Sequence, residues 1–92
     1  MVKWEYLDHY SSTDPTHDYD SIMVGPRDIQ ALAQYLQGAF PSSTFKIDKG
    51  EIRATVGGCH LHNALGDLGW ELVATTYAYC LVYHFKRPRA GQ

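Results

Sequence analysis

The stretch that most restricts what this chain can become is WELVATTYAYCLVYHFKRP, from Trp70 to Pro88. Aromatic and β-branched residues crowd it, and they favour extended backbone. It predicts two long antiparallel strands, near 70–78 and 80–87, turned at Ala78 or its neighbours and stopped by Pro88. On the first, Trp70, Leu72 and Ala74 take one face, and Val73, Thr75 and Tyr77 the other. On the second, Leu81, Tyr83 and Phe85 oppose Cys80 and Val82. An antiparallel sheet with one wet face alternates cleanly between apolar and polar side chains. This hairpin does not, so both of its faces call for cover.

The rest of the chain supplies limited cover. Its 92 residues make one domain, 1–92, and a chain of that size buries only about 60–65% of its unfolded surface. In VKWEYLDHY, Val2, Trp4 and Tyr6 alternate with Lys3 and Glu5, predicting a strand near 2–9. A polar acidic loop follows at 11–21. GPRDIQALAQYLQGAF predicts a helix near 26–38, with Pro26 at its first position and Asp28 in its first turn. Ile29, Leu32, Ala33, Leu36 and Phe40 form its stripe, and Gly38 and Pro41 end it. TFKIDKGEIRATV predicts a hairpin with strands at 44–48 and 51–56, turned by Asp48-Lys49-Gly50. Leu61, Ala64, Leu65 and Leu68 recur at helical spacing and predict a helix at 59–68. Gly69 caps it in the left-handed conformation.

These elements give an α+β fold, an antiparallel sheet of about five strands with two helices. Two helices on opposite faces would cover the last hairpin from within. Two helices on the same face would leave a Tyr-rich patch bare, which symmetric self-association seals. The expectation is a homo-oligomer, most simply a two-fold dimer joined through the sheet, with Tyr77, Val82 and Tyr83 as interface residues.

Three motifs, KWEY (Trp4 to Tyr6), NALGDLGWELV (Asn63 to Val73) and FKRP (Phe85 to Pro88), resemble the DUF4177 family of small uncharacterised bacterial proteins. The resemblance covers roughly the first ten residues and the last thirty, with 11–58 as an insertion relative to the family pattern. It implies a structural helix-to-strand turn and brings no agreed activity.

The remaining chemistry centres on GGCHLH, residues 57–62. Cys59 and His62 can share a helix face, and with Cys80 and His84 they make a tetrahedral zinc set on paper. No Cys-x-x-Cys knuckle prepositions a pair, so small buried cysteines and amphipathic histidines are expected, without metal or other cofactor. Cys59 at a helix start could be an activated thiol. His60 points away from it, and no nucleophile elbow is present, so an enzyme is not expected. Asp8, His9, Asp14, His17, Asp18 and Asp20 do not follow calcium-loop spacing. Gly57, Gly58 and Cys59 could offer helix-start amides to an anion, with Tyr77, Tyr79 and Tyr83 to stack on a base. The alternative function is therefore a binder that sequesters a small anionic or nucleotide-like ligand. A net charge of −2 argues against a nucleic-acid partner, because counterion release needs clustered cations. Lys86, Arg87 and Arg89 form only a solvated tip. MVKWEY lacks the apolar run of an export signal, and two cysteines fit a reducing, cytoplasmic setting away from membranes.

Overall fold

The computed structural model describes residues 3–11, 19–55, 59–77 and 80–89, with the side chain of Cys59 left aside. The elements run β1 (Trp4–Ser11), β2 (Ser21–Val24), α1 (Ile29–Ala39), β3 (Thr44–Asp48), β4 (Glu51–Thr55), α2 (Cys59–Asp67), β5 (Glu71–Tyr77) and β6 (Leu81–Pro88). The strands form a single antiparallel sheet in the order β3-β4-β2-β1-β6-β5. The fold is α+β, as expected, with six strands rather than about five.

The additional strand is β2. It is only four residues long, and Ser21 and Met23 are buried in it. It lies between β1 and β4, so both of its edges are paired. The first strand also continues past residue 9 to Ser11. Helix α1 begins later than Pro26: Asp28 is its N-cap, its carboxylate accepting from Ala31 N at 3.0 Å. Gly38 lies inside the helix, and the last bond runs from Phe40 N to Leu36 O.

Two turns follow from their residues. Asp48 and Glu51 pair across a two-residue loop in which Lys49 (φ 52°) and Gly50 (φ 79°) both take positive φ, the tight hairpin turn that suits twisted strands. At the end of α2, Gly69 has φ +88°. Gly69 N donates to Gly66 O at 2.9 Å and Trp70 N to Leu65 O at 3.0 Å, the paired bonds that close a helix on a left-handed residue. Trp70 is thereby returned to the core, where it is buried.

Opposed residues in an antiparallel pair point to the same face, so the registers define both sides of the sheet. One side carries Glu5, Leu7 and His9 of β1, Ser21 and Met23 of β2, Ile52 and Ala54 of β4, and Tyr83, Phe85 and Arg87 of β6. Both helices pack on this side. Leu32, Ala33 and Leu36 of α1 and Leu61, Ala64 and Leu65 of α2 share one buried cluster with Leu7, Met23, Ile52, Ala54, Trp70 and Phe85. Helix α1 lies over β3 and β4, where Gln37 Oε1 accepts from Phe45 N at 3.2 Å and Gln37 Nε2 donates to Ser43 O at 2.7 Å. Helix α2 lies over β1 and β6, where the His62 ring contacts His9, Tyr83 and Phe85.

The resemblance-bearing residues meet at one end of this layer. Arg87 Nε donates to Glu5 Oε1 at 2.7 Å, and Arg87 Nη1 donates to Leu68 O at 3.0 Å on the last turn of α2. The Arg87 guanidinium also stands 4.4 Å from the Trp70 ring centroid. Burial alone would raise the Glu5 carboxyl. The bonds from Arg87 and from Arg27 N, with the charges of both arginines, outweigh it and hold Glu5 below its ordinary value. The motif is a lock between strand, helix end and closing strand.

Candidate self-association surface

The opposite side of the sheet carries neither helix. Reading across it, Ile22, Tyr10, Val82 and Thr76 form one row. Val24, Asp8, His84 and Ala74 form the next, then Tyr6, Lys86 and Glu71, then Trp4 and Pro88. Tyr6 is 59% exposed, Trp4 39% and Tyr10 37%. Val82 is buried yet absent from the main core cluster, as its place on the outer side requires. Toward β4 and β3 this side becomes charged, with Arg53, Lys46, Glu51 and Asp48. Arg53 spans Asp48 (3.7 Å) and Glu51 (3.6 Å), exposed pairs of small energetic weight.

The strand alternation of β1 is inverted with respect to simple hydrophobicity. Its aromatic side (Trp4, Tyr6, Tyr10) faces away from the helices, while Glu5 and His9 flank Leu7 on the buried side. Both of these buried groups on β1 have partners. Glu5 has Arg87 and the Arg27 amide. His9 Nδ1 is 2.9 Å from His62 Nε2, and His9 Nε2 is 3.0 Å from Ser21 Oγ. Tyr83 stacks on His9 with centroids 5.5 Å apart. Two neutral imidazoles satisfy this chain in either direction: one ring donates, the other accepts, and the serine hydroxyl turns to suit. Burial first, then the neighbouring His62, pushes the His9 pKa down to about 4; burial also lowers His62. Ser21 is 2% exposed, so its hydroxyl is shut away from any substrate.

A second histidine chain lies on the helix-free side. His84 Nδ1 is 2.7 Å from Asp8 Oδ1, and His84 Nε2 is 3.0 Å from Thr76 Oγ1. The order hydroxyl, imidazole, carboxylate is that of a nucleophile with its base and orienting acid. Acyl transfer also needs several N–H donors converging on one oxyanion. Consecutive amides of an extended strand point in opposite directions, so β5 does not provide that convergence.

The residues singled out from the sequence are dispersed. Tyr77 and Tyr83 lie on the helix side, with Tyr77 76% exposed at the end of β5 and Tyr83 packed on His9 and His62. Val82 lies on the helix-free side. The face assignment for β5 is also corrected. The register shifts between Leu72 and Ala74, so Leu72 joins Thr75 and Tyr77 on the helix side, and Ala74 joins Thr76 on the other. All seven residues of β5 remain exposed, because the strand is the sheet edge and neither helix reaches it. His62 and His84 point to opposite faces, so a site combining Cys59, His62, Cys80 and His84 does not assemble. Among the described residues no group of three or more His, Cys, Asp or Glu gathers where it could hold a metal. Asp8 and His9 likewise diverge across β1. Val2, Asp14, His17, Asp18, Val56, Gly57, Gly58, Ala78 and Tyr79, and the side chain of Cys59, lie outside the described residues.

The aromatic outer face was hidden in the sequence by its own alternation. Trp4, Tyr6 and Tyr10 read as the inward side of a strand until Glu5 and His9 are known to have partners. No helix among the described residues is long and apolar enough to cross a membrane. No family model, curated protein or solved structure matches the chain.

Proposed function

We propose that the protein is a non-enzymatic, self-associating domain that dimerises about a two-fold axis through the helix-free face of its sheet. One observation carries this reading. Both helices cover the same face, and the other carries Trp4, Tyr6, Tyr10, Ile22 and Val24, with the buried Val82, around the Asp8–His84 pair. The patch resembles an interface in part: apolar and aromatic side chains on β2, β1 and β6 surround the Asp8–His84 pair and Lys86, and the other charges, Lys46, Asp48, Glu51, Arg53 and Glu71, lie toward its edges. Six strands about 4.8 Å apart and about six residues long project roughly 600 Å². That is of the order of the about 800 Å² per partner that stable dimers bury.

Kinship with the DUF4177 family belongs to the same proposal. Its support is that Glu5, Trp70 and Arg87, from three separate motif segments, meet in one lock. A reducing, cytoplasmic setting fits the free thiol of Cys80. Capture of a small anion is the weaker reading, because Tyr83 already stacks on His9 and is spoken for as a base platform.

Light scattering at micromolar concentration tests the dimer. The expected mass is twice 10.4 kDa. Tyr6→Glu, at an exposed position, should give a folded monomer with an unchanged circular dichroism spectrum. A wild-type mass of one chain refutes self-association, and a Tyr6→Glu dimer refutes this face.

A further inference from the structure

A face-to-face partner centred on this patch must cover the pair at its middle. Asp8 lies between Tyr6 and Tyr10 on β1, with Val24 opposite on β2 and His84 opposite on β6. Each side chain of the pair is about a third exposed in the single chain (37% and 33%), so water still screens it. Association would remove that water. We propose, resting on the dimer reading above, that association is linked to protons: each protomer takes up one at His84 when the faces close.

The direction follows from net charge. With neutral His84 the pair carries the full negative charge of Asp8, and a two-fold axis brings a second such charge to the same dry layer. Uncompensated buried charge is costly, and like charges add to the cost. With His84 protonated, each pair is neutral overall and its short bond becomes charge-assisted. The hydrogen-bond chain accepts the change without rearrangement. His84 Nδ1–H donates to Asp8 in both states. His84 Nε2 accepts from the Thr76 hydroxyl when neutral and donates to Thr76 Oγ1 when charged.

The other groups facing the pair leave this balance intact. On β1 they are Tyr6 and Tyr10, on β2 the apolar Ile22 and Val24, and on β5 Ala74 and Thr76. Lys86, next along β6, places its ammonium 4.2 Å from the Trp4 ring centroid and is registered opposite Glu71. His9 and His62 point to the other side of the sheet.

The dimer dissociation constant, measured by sedimentation from pH 6.0 to 8.0 with the fold followed by circular dichroism, tests the linkage. It should tighten at least tenfold from pH 8.0 to pH 6.0 in the wild type. His84→Gln should give a dissociation constant that varies less than twofold over the range, whereas Asp8→Asn, which leaves a charged His84 uncompensated when the faces close, should abolish the tightening toward pH 6.0 or reverse it. Dilution calorimetry of the wild type at pH 7 should give dissociation heats that differ between phosphate and Tris, because released protons are taken up by the buffer. A dimer whose affinity is flat with pH, whose pH dependence survives in His84→Gln, or whose heats are buffer-independent overturns the proton linkage and leaves the dimer standing. A monomer at every pH overturns both.

Discussion

Lowering the pH should destabilise the protein through His9 well before its carboxylates titrate. His9 is 1% exposed, and its pKa is pushed from 6.5 down to about 4, by burial first and by His62 second. A group whose folded-state pKa is depressed binds its proton more readily in the unfolded chain. Native stability is therefore complete above about pH 6.5 and falls as pH drops toward 4. Between pH 7 and pH 5 the loss from this one residue is about 2 kcal/mol, rising toward about 3 kcal/mol near pH 4. A domain of this size has only about 5–15 kcal/mol in total. His62, also lowered by burial, adds in the same direction. Glu5 enters later, because its depressed carboxyl withdraws stability only below its ordinary value of 4.5. Urea unfolding at fixed protein concentration in the Tyr6→Glu background reads the effect without a contribution from association. The free energy of unfolding should fall by about 2 kcal/mol from pH 7 to pH 5, and His9→Gln should remove most of that slope. A pH-independent unfolding free energy, or a slope unaltered in His9→Gln, refutes the account of a neutral imidazole held by burial.

Three further substitutions test the frame. Gly69→Ala should cost about 1 kcal/mol, because φ +88° disfavours a side chain although nothing stands in its space. Gly25→Ala should cost distinctly more, since φ is +109° and the added Cβ would collide with the Tyr6 carbonyl; equal melting temperatures for the two variants would contradict this. Arg87→Lys should lower stability by about 2 kcal/mol, because a lysine cannot hold Glu5 and Leu68 O and also lie flat over Trp70. Chemical denaturation checks it, and a loss under about 0.5 kcal/mol would dismiss the lock.

Local patterns carried most of the fold. Period-two alternation and Lys49-Gly50 defined the β3–β4 hairpin, and the spacing of Leu61, Ala64 and Leu65 with Gly69 defined α2 and its exit. What stayed hidden depends on distant partners. Ile22-Met23-Val24 is too short to stand out beside an Asp-rich stretch, and it becomes a strand because β1 and β4 flank it. The inward turn of Glu5 and His9 depends on Arg87 and His62, more than fifty residues away. The choice of one face by both helices is a packing outcome that no periodicity encodes. The dual-faced hydrophobicity of Trp70 to Pro88 did announce that part of the sheet would lack cover, while the bulge after Leu72 rearranged which residues it left bare.

The central place of β1 also sets the order in which the sheet can be completed. Its partner β6 pairs from Ser11 with Leu81 to Trp4 with Pro88, so β1 leaves the ribosome some seventy or more residues before that edge can be satisfied. At about 5–20 residues per second, the interval is roughly 4–16 s. Meanwhile β1 can zip only onto β2, and its other edge, with Trp4, Tyr6 and Tyr10 along it, stays open to neighbouring chains. Contacts this distant in sequence form slowly. The chain is thus most vulnerable to mispairing while it is being made, and chaperone binding to nascent β1 would guard this strand until β6 arrives.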